Sequence, residues 1–484
     1  MADRPNLIII CSDEMRGDCT GFAGNPDVKT PNLDRFADEA IAFTNHTSVF
    51  PKCVPARISL MTGRYCHTDG YRNLYQHLVP DHVNLLDRFN AHGYQTAVFG
   101  KNHCWDPRVF EEEIDYTSHR APYDEMMDGV PRLLETEPDP GSPTPLDLEN
   151  GWQYVGCNTR HMADEAYARQ AIDFLEHRRN GDRPFFLEIN FESPHPVYGV
   201  EEPWYGMYER DTITPWPHEL PRNAPLPTVK QREIRTGMES QEEAALEVQR
   251  VYYGMISKLD MLIGTVLDAL EEQGLWEDTV VLFWVDHGDY AGQYTLSEKW
   301  DTCFTDCLVQ VPCVLRAPGL PAGVRVDALS DHTDLAPTLC ELLDFEPLPG
   351  MHGHSLLPTL HGERVRTATF SEGGHEREMW ERFTPDVYVE TPDGGRKRLA
   401  KTQTYVDCPE TMARAKMIRT ERYKMVIRLI GGNELYDLKE DPWELDNRWG
   451  DPALAPVVRD LQQQLLEWCI RTDTDRPYQE RVQV

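Results

Sequence analysis

The chain has few basic residues and no long hydrophobic run. Lysine and arginine number 48 against 81 aspartate and glutamate residues in 484, which gives a formal net charge of −33. A surface this acidic repels polyanions, so nucleic acid is not an expected partner. The apolar run at residues 6–11 is too short for a signal sequence or a membrane span. We therefore expect a buried strand there, and no membrane partner.

Regular cysteine spacing is also missing. The twelve cysteines are scattered and do not follow the pattern of a small disulfide scaffold, which indicates reduced thiols and predicts a cytoplasmic protein. A chain that had lost a leader would look the same, so that alternative stays open. The length leaves room for a large domain and a smaller one. Short runs typical of β-strands appear after about residue 370. We therefore expect a main domain at 1–370 and an α+β subdomain with a small antiparallel sheet at 371–484.

Strand and helix patterns alternate along the first three hundred residues. Short apolar runs predict buried strands at residues 6–11, 94–99, 184–191 and 279–285. Between them, apolar residues at helical spacing predict helices at residues 31–41, 84–92, 161–179 and 241–273. This alternation is typical of an α/β fold with a mostly parallel sheet. Residues 104–155 and 200–240 show no clear period and are expected to form long loops.

Reactive side chains follow four of the predicted strands. The segments are Asp13-Glu14, Lys101-Asn102-His103, Ser193-Pro194-His195 and Asp286-His287-Gly288-Asp289. Each has an ordinary structural explanation as a helix cap, a surface residue or a turn. Ligands of open parallel sheets bind beyond the carboxyl ends of the strands. The joint placement of these segments therefore predicts a functional site at one edge of the sheet.

The side chains at this edge divide into two chemical groups. The first offers carboxylate oxygens and one imidazole, and consists of Asp13, Glu14, Asp286 and His287. Such donors suit Ca²⁺, Mg²⁺ or Mn²⁺ better than a metal that prefers thiolates. The second group suits a bound oxyanion and proton transfer, and consists of Arg57, Lys101, Lys299, His103 and His195.

A cysteine motif lies between the first two strands. Cys53, Pro55 and Arg57 form the pattern C-x-P-x-R. A cysteine in a chain of this size is usually a small buried apolar residue. We expect a helix at residues 55–61, with Cys53 just before it. The N-terminus of a helix stabilises negative charge, both on a nucleophile and on an anion that it attacks.

Taken in chain order, these segments resemble the type I sulfatases of the alkaline phosphatase superfamily. The matching segments are Arg4-Pro5-Asn6-Leu7-Ile8, Thr30-Pro31-Asn32-Leu33-Asp34, the Cys53 motif with Leu60-Met61-Thr62-Gly63-Arg64, Gly100-Lys101-Asn102-His103, Ser193-Pro194-His195, Asp286-His287-Gly288-Asp289, Lys299, and Glu434-Leu435-Tyr436-Asp437-Leu438 with Asp441-Pro442. The resemblance implies an alkaline-phosphatase-like α/β/α sandwich with a mostly parallel central sheet and a smaller C-terminal α+β subdomain. Residues 1–370 would then be the catalytic domain.

The resemblance also implies the reaction and its cofactors. A sulfate monoester would be cleaved to an alcohol and inorganic sulfate. A maturation enzyme would oxidise Cys53 to formylglycine, and the hydrate of that aldehyde would attack sulfur. Asp13, Asp286 and His287 would bind a divalent metal, usually Ca²⁺, with Mg²⁺ and Mn²⁺ also open. Glu14 is a further candidate ligand.

The remaining roles follow from the same resemblance. Arg57 would hold the formylglycine, and Lys101 and Lys299 would neutralise sulfate oxygens. His195, alone or with Lys299, would protonate the departing alcohol. His103 would take a proton from the second hydroxyl of the sulfated hydrate, which expels sulfate and restores the aldehyde. Two residues downstream of the motif would reach the substrate, and these are Asn73 and His77.

The chain departs from the common family pattern at three positions. Many members have Asp-Asp where this chain has Asp13-Glu14, so Glu14 can ligate the metal, shift it or point away. Many members have Asp-Asn where this chain has Asp286-His287, and Ser where it has Ala56. The last two features resemble the bacterial choline sulfatases and phosphonate monoester hydrolases.

Three functions remain open from the sequence. The first is sulfate ester hydrolysis, and the second is phosphonate monoester or phosphate diester hydrolysis with the same machinery. The third is a silent metal- and anion-binding protein, because Cys53 needs a maturation enzyme. The net charge of −33 favours a small-molecule ester over a long sulfated polymer. The alcohol, whether aryl, choline-like or sugar, and a homo-oligomeric state stay open.

Overall fold

The computed structural model describes residues 4–118, 154–157, 163–236, 241–375, 388–390, 396–398 and 400–473. The strands in chain order are β1 Asn6–Asp13, β2 Ile41–Phe43, β3 His46–Thr47, β4 Gln95–Gly100, β5 Tyr116–Thr117, β6 Tyr154–Cys157, β7 Phe185–Pro194, β8 Tyr198–Val200, β9 Thr279–Val285, β10 Cys313–Arg316, β11 Val324–Val326, β12 Ser330–Asp331, β13 Thr369–Gly373, β14 Tyr388–Glu390, β15 Arg396–Arg398, β16 Ala415–Arg419, β17 Tyr423–Arg428 and β18 Glu434–Asp437. The α-helices are α1 Pro31–Asp38, α2 Cys53–Thr62, α3 Cys66–Asp69, α4 Leu85–Ala91, α5 Pro107–Glu112, α6 Ala163–Asp173, α7 Leu226–Thr236, α8 Glu242–Glu272, α9 Asp306–Val309, α10 Leu335–Leu342, α11 Ala400–Asp407 and α12 Ala455–Arg471.

An eight-stranded sheet forms the centre of the molecule. Its strand order is β11-β2-β10-β9-β1-β7-β4-β5. Neighbouring strands are parallel except at β10, which runs antiparallel to both β9 and β2. Strand β1 lies between β7 and β9, and its Ile8 pairs with Leu187 on one side and with Val281 on the other. The expected mostly parallel sheet is therefore confirmed.

Helices cover both faces of this sheet. Successive residues of a strand point to opposite faces, and in β1 Ile8 and Ile10 pack with α1, α6 and α8. Leu7 and Ile9 pack on the other side with α2, α4 and α10. Burial on both faces explains why β1 and β9 are apolar at nearly every position. The three layers confirm the expected α/β/α sandwich.

A second, antiparallel sheet follows in the C-terminal part of the chain. Its order is β13-β16-β17-β18, and its strands pair antiparallel throughout. Helix α12 packs on this sheet, with Trp468 in contact with the buried apolar side chains of β13 and β16. The expected C-terminal antiparallel sheet with an accompanying helix is therefore confirmed.

Two sequence-based expectations about helices are wrong. Helix α2 begins at Cys53 rather than at Pro55, because proline is tolerated throughout the first helical turn, where no intrahelical donor is needed. The stretch 200–240 is not a continuous loop, since it contains helix α7. Pro225 just before α7 and Pro227 in its first turn hide its helical pattern.

The remaining boundaries differ by small amounts. The helix expected at 161–179 is present as α6, followed by a π-helical turn at Phe174–Arg178, and residues 161–162 lie outside the described part. In the stretch 104–155, α5 and β5 occupy part of the segment up to residue 118, and residues 119–153 are not among those described. Helix α8 is a single helix of 31 residues. Within the described residues, no helix combines the length and apolar character that a membrane crossing needs.

Candidate active site

Four parallel strands deliver reactive side chains to one edge of the central sheet. Asp13 is the last residue of β1, and Lys101 follows β4. His195 follows β7, and Asp286 follows β9. Because β4, β7, β1 and β9 are adjacent and parallel, their carboxyl ends meet. The structure thus brings together the residues that the sequence placed at this edge.

Helix α2 points its N-terminus at the same edge. Cys53 is its first residue, and Arg57 lies one turn further on the same face. The Cys53 side chain is buried, with Sγ 3.3 Å from Nε2 of His287 and 3.6 Å from Oδ1 of Asp13. The helix ends at Gly63, whose φ of 68° is in the left-handed region that suits glycine. The motif cysteine therefore lies among the predicted metal ligands.

Arg57 connects helix α2 to three strands of the central sheet. Its Nε donates to Oδ2 of Asp286 at 2.9 Å, and its Nη2 donates to Oδ2 of Asp13 at 2.9 Å. Its Nη1 donates to Oδ1 of Asn190 at 3.0 Å. A planar guanidinium can bind two carboxylates at fixed angles. Arg57 thus fixes the positions of α2, β1, β7 and β9 relative to one another.

Lys101 adds a second cation beside Asp13. Its Nζ lies 2.9 Å from Oδ2 of Asp13. Burial by itself would raise the pKa of Asp13, but the cations Lys101 and Arg57 outweigh it and hold that pKa well below its usual range. Asp13 is therefore a carboxylate under all ordinary conditions, as a metal ligand must be.

Glu14, Lys299 and His195 form a second group next to the first. Lys299 Nζ donates to Oε2 of Glu14 at 2.7 Å and lies 2.8 Å from Nε2 of His195. The backbone of Glu14 has a φ of 71°, a left-handed conformation that is uncommon for a residue with a side chain. Its other carboxylate oxygen, Oε1, is buried without a hydrogen-bond partner among the described residues. An unsatisfied buried carboxylate oxygen is costly unless a cation meets it.

The donor atoms fit a divalent cation. One atom each from Asp13, Cys53, Asp286 and His287 lie within 4.8 Å of one another, and all four residues are buried. Burial would lower the pKa of His287, but Asp286 and Cys53 raise it to about 10. The same negative charge that favours a proton on His287 would favour a metal in its place. Carboxylate oxygens with one imidazole suit Ca²⁺, Mg²⁺ or Mn²⁺.

The environment of Cys53 favours a reactive thiol. Burial and Asp13 each raise its pKa, whereas Lys299, Lys101 and His287 lower it, and the net result is a pKa of about 7. Other buried cysteines of the chain have pKa values above the usual value, not below it. Burial raises the pKa of Cys307, for example, to about 12. Cys53 is therefore set apart by its cationic surroundings.

His103 and His195 are neutral bases in this site. Burial, with help from Lys101, lowers the pKa of His103 to about 3. Burial, Lys101 and Lys299 likewise hold the pKa of His195 well below its usual value. Nδ1 of His103 is buried and makes no hydrogen bond with the described residues. A neutral imidazole with an open nitrogen can accept a proton.

Asn73 and His77, the two predicted substrate-binding residues, lie in the segment after α3. Asn73 is buried, and its Oδ1 accepts from the backbone of Tyr75 at 2.8 Å. Its Nδ2 has no hydrogen-bond partner in the described part of the chain. Leu78 N donates to Cys104 O at 2.7 Å, which places His77 beside His103. Burial and the nearby His103 lower the pKa of His77.

Sequence reasoning missed two groups that support this site. Asn190 accepts from Arg57, and its position near the end of β7 could have revealed it. Tyr198 donates to the buried Asp289, 2.7 Å from Oδ1. Its hydroxyl also accepts from the backbone of Glu298 at 2.7 Å. Asp289 belongs to the segment Asp286-His287-Gly288-Asp289, which the sequence analysis identified. Tyr198 lies four residues after the end of β7, and no motif in the sequence marks it as part of the site.

Two family models match the chain. The model described as Sulfatase matches residues 5–345. The model described as N-sulphoglucosamine sulphohydrolase, C-terminal, matches residues 394–471. The first of these spans more than two thirds of the chain and includes every candidate site residue.

Individual relatives match over nearly the full length. The multifunctional alkaline phosphatase superfamily protein PehA of Trinickia caryophylli is 29% identical, with 96% of this chain and 95% of that protein covered. The ulvan-active sulfatase of Formosa agariphila is 26% identical, with 96% and 80% covered. Among solved structures, the phosphonate monoester hydrolase of Agrobacterium radiobacter has a TM-score of 0.75 at 26% identity, with 97% and 96% covered.

Proposed function

The chain belongs to the sulfatase family of enzymes, and from that premise we propose that it hydrolyses a sulfate monoester to an alcohol and inorganic sulfate at the Cys53 site. One observation carries the proposal. Cys53 lies at the N-terminus of α2, within 3.6 Å of both Asp13 and His287, and its pKa is lowered by Lys101 and Lys299. A nucleophile, a metal-type donor set and two anion-binding cations thus share one buried space.

Two groups would complete this site. Oxidation of Cys53 to formylglycine by a maturation enzyme would give the site a hydrated aldehyde, whose oxygen supplies the nucleophile for sulfur. A divalent cation, with Ca²⁺ favoured over Mg²⁺ and Mn²⁺, would polarise the sulfate when bound to Asp13, Asp286 and His287. The partnerless oxygen of Glu14 supports Glu14 as a further ligand.

The side chains then divide the remaining work. Lys101 and Lys299 would neutralise the sulfate oxygens as negative charge grows. His195 lies 2.8 Å from Lys299 Nζ, and the pair would give a proton to the departing alcohol. His103 would take a proton near the nucleophile, since its pKa of about 3 keeps it unprotonated at neutral pH. Arg57 would keep residue 53 in place against the carboxylates.

The wider setting is also a proposal. Residues 1–370 would form the catalytic domain and residues 371–484 the C-terminal subdomain. The structure has no disulfide bond among its cysteines, which supports a reducing compartment such as the cytoplasm. The net charge of −33 favours a small-molecule ester.

The mass of the peptide that contains Cys53 tests the nucleophile. Trypsin would release residues 53–57 from protein made with the maturation enzyme present. Replacement of the thiol by an aldehyde, seen as loss of sulfur and two hydrogens and gain of one oxygen, is the expected result. An unmodified thiol in protein that still turns over a sulfate ester would overturn the formylglycine proposal. Cys53→Ala is the matched control, and we expect it to lose activity by about 10⁴-fold or more.

Phosphonate monoester hydrolysis is the second candidate. The full-length match to the Agrobacterium phosphonate monoester hydrolase at 26% identity favours this activity. Sulfate and phosphonate monoanions are alike in size and charge, so the same site can hold either. Aryl sulfate and aryl phosphonate esters with one common leaving group separate the two. A larger kcat/KM for the phosphonate would replace the leading proposal by the second.

A further inference from the structure

Strand β7 carries a buried acid in the middle of the central sheet. Phe186, Glu188 and Asn190 alternate along the strand and therefore lie on the same face. The in-register neighbours of Glu188 are Ile9 of β1 and Val98 of β4, both buried apolar residues. Glu188 itself is only 2% exposed. A carboxyl group in such apolar surroundings is costly to bury unless hydrogen bonds meet it.

Both carboxyl oxygens of Glu188 accept a hydrogen bond. Nδ2 of Asn190 donates to Oε1 at 3.0 Å, and Nε1 of Trp105 donates to Oε2 at 3.2 Å. Burial raises the pKa of Glu188 above its usual value, although these two donors and the nearby Arg57 oppose the rise. The carboxylate form, which only accepts hydrogen bonds, matches both donors.

Asn190 connects this acid to Arg57. Its Oδ1 accepts from Nη1 of Arg57 at 3.0 Å. A guanidinium can only donate and a carboxylate can only accept, so the amide of Asn190 has a single orientation that suits both neighbours. The same guanidinium binds Asp13 and Asp286. Because the group is planar and rigid, a shift at Nη1 would move its other contacts as well.

Trp105 connects the same acid to the turn after β4. The backbone carbonyl of Trp105 accepts from Nδ2 of Asn102 at 2.8 Å, and its backbone N–H donates to Oδ1 of Asn102 at 2.9 Å. Asn102 lies between Lys101 and His103 in the sequence. The second hydrogen bond of the buried acid thus holds the turn that carries both of these residues.

We propose that Glu188 is a positioning residue, which orients Arg57 on one side and the turn at residues 101–103 on the other. The inference rests on the roles proposed above for the residues at these two places. The two acceptor oxygens of Glu188 set the direction of the hydrogen bonds that lead from it to the site. A side chain of the same shape with one donor and one acceptor cannot satisfy both partners.

The first test replaces Glu188 by glutamine, which keeps the shape of the side chain. Whichever way the new amide turns, its nitrogen faces either Nε1 of Trp105 or Nδ2 of Asn190, and both are donors. Rotation of the Asn190 amide would only bring its nitrogen against Arg57. Buried donors that face each other lose their hydrogen bonds and must separate, so a part of the site moves in either case.

We expect Glu188→Gln to lower kcat/KM by about ten- to a hundredfold, since small misplacements of catalytic groups have effects of this size. The assay uses whichever of an aryl sulfate and an aryl phosphonate the wild type prefers, so the result does not depend on that choice. Unchanged kcat/KM in Glu188→Gln would overturn the inference.

A compensating substitution separates the direction of the hydrogen bonds from general damage. Glu188→Gln combined with Asn190→Asp exchanges the acid and the amide, and it keeps the size and the net charge of the pair. The acid at position 190 can accept both from Arg57 and from the amide at position 188, whose oxygen can accept from Trp105. We expect each single substitution to impair turnover and the combination to recover much of it. A combination as impaired as the worse single variant would contradict the proposal. If Glu188→Gln does not fold, the double variant alone decides between these outcomes.

Urea unfolding in the presence of a chelator follows the same variants without a cation and without the reaction. Each single substitution should lower the free energy of unfolding, and the double variant should regain most of the loss, because the two residues are in direct contact. Glu247→Gln is the matched control. Glu247 is another buried glutamate, and it accepts from Tyr154 and Arg250. This control should lose stability and keep its kcat/KM. An equal fall in kcat/KM for Glu247→Gln would assign the effect of Glu188→Gln to lost stability and overturn the inference.

Two further variants keep the inference apart from the proposed function. These are Arg57→Lys and His103→Asn, which alter the residues that Glu188 is proposed to position. If both keep wild-type activity, the proposed roles of Arg57 and His103 fail. If either is impaired and Glu188→Gln is not, only the positioning inference fails.

Discussion

Nε of Arg57 donates a 2.9 Å hydrogen bond to Oδ2 of Asp286. Arg57 is on helix α2, which begins with Cys53 of the same motif, and Asp286 follows a strand more than two hundred residues later. Both side chains are buried. The bond therefore fixes the nucleophile helix to the strand that carries the proposed metal ligands. Loss of this contact should therefore lower both the stability of the protein and its affinity for a divalent cation.

Replacement of Arg57 by methionine should destabilise the protein strongly. Asp13 and Asp286 would both lose a buried partner, and breaking a buried pair typically costs about 3–5 kcal/mol. Arg57→Lys should cost less but still fail to reach both carboxylates. Urea unfolding in the presence of a chelator measures the effect without help from a bound cation. A cost below about 1 kcal/mol for Arg57→Met would contradict a central role for this side chain.

Removal of divalent cations should abolish turnover and lower the unfolding temperature. Added Ca²⁺ should restore both, because a ligand of the folded state at about 100 times its dissociation constant adds about 2.7 kcal/mol of stability. Asp286→Asn is the matched variant, as it keeps the shape of the side chain and removes its charge. We expect it to lose most of the stabilisation by Ca²⁺. An equal thermal shift in the wild type and in Asp286→Asn would place the cation elsewhere.

Replacement of Asn73 by aspartate should raise KM more than replacement by alanine. Both changes remove the Nδ2 donor, which has no partner among the described residues, but only aspartate would add a negative charge at the proposed substrate-binding position. Like charges at a binding surface cost several kcal/mol when desolvated, so a rise in KM of about tenfold or more is expected for Asn73→Asp. Steady-state kinetics on an aryl sulfate measure both values. Equal effects of the two variants would show that Asn73 does not face the anion.

His46 should make the protein less stable as the pH falls below neutrality. Burial lowers the pKa of His46 to about 4, whereas in the unfolded chain it is near 6.5. Between these values the unfolded chain binds a proton that the folded protein does not, so stability falls as the pH drops through this range. The difference amounts to about 3 kcal/mol at most.

His46→Asn provides the comparison for this effect. Asparagine can replace the 2.9 Å hydrogen bond between Nδ1 of His46 and Ser330, but it does not titrate. Urea unfolding at about pH 7 and about pH 5 should show a smaller drop for the variant than for the wild type. The same drop in both proteins would mean that other groups cause the loss of stability in acid.

The strands of the central sheet were the most predictable part of the fold. Burial on both faces leaves β9 apolar at every position, so the strand at residues 279–285 was predicted at its true ends. Strand β1 runs two residues further than its apolar run, to Asp13, because an acid at a functional edge interrupts the pattern. Parallel packing then brought the strand ends together, as expected.

Contacts made by uncharged or distant side chains were not predictable. Asn190 and Tyr198 carry no charge, so a search for acids, bases and histidines passed over them. The start of α2 at Cys53 was missed by two residues because a proline is typical of the first helical position, although the first turn tolerates it at a later position as well. The link from Trp105 to Glu188 joins residues 83 positions apart, and no local pattern indicates such a pair.

The position of β1 in the middle of the sheet has a consequence for synthesis of the protein. The ribosome makes β1 first, but its two neighbours, β7 and β9, are complete only after residues 194 and 285. At about 5–20 residues per second, this delay lasts on the order of tens of seconds. During that time Cys53 lies on an unfinished chain, within reach of another enzyme, whereas in the finished protein its side chain is only 1% exposed. The order of the strands would thus leave an interval for the proposed modification of Cys53, which ends when the last of them is added.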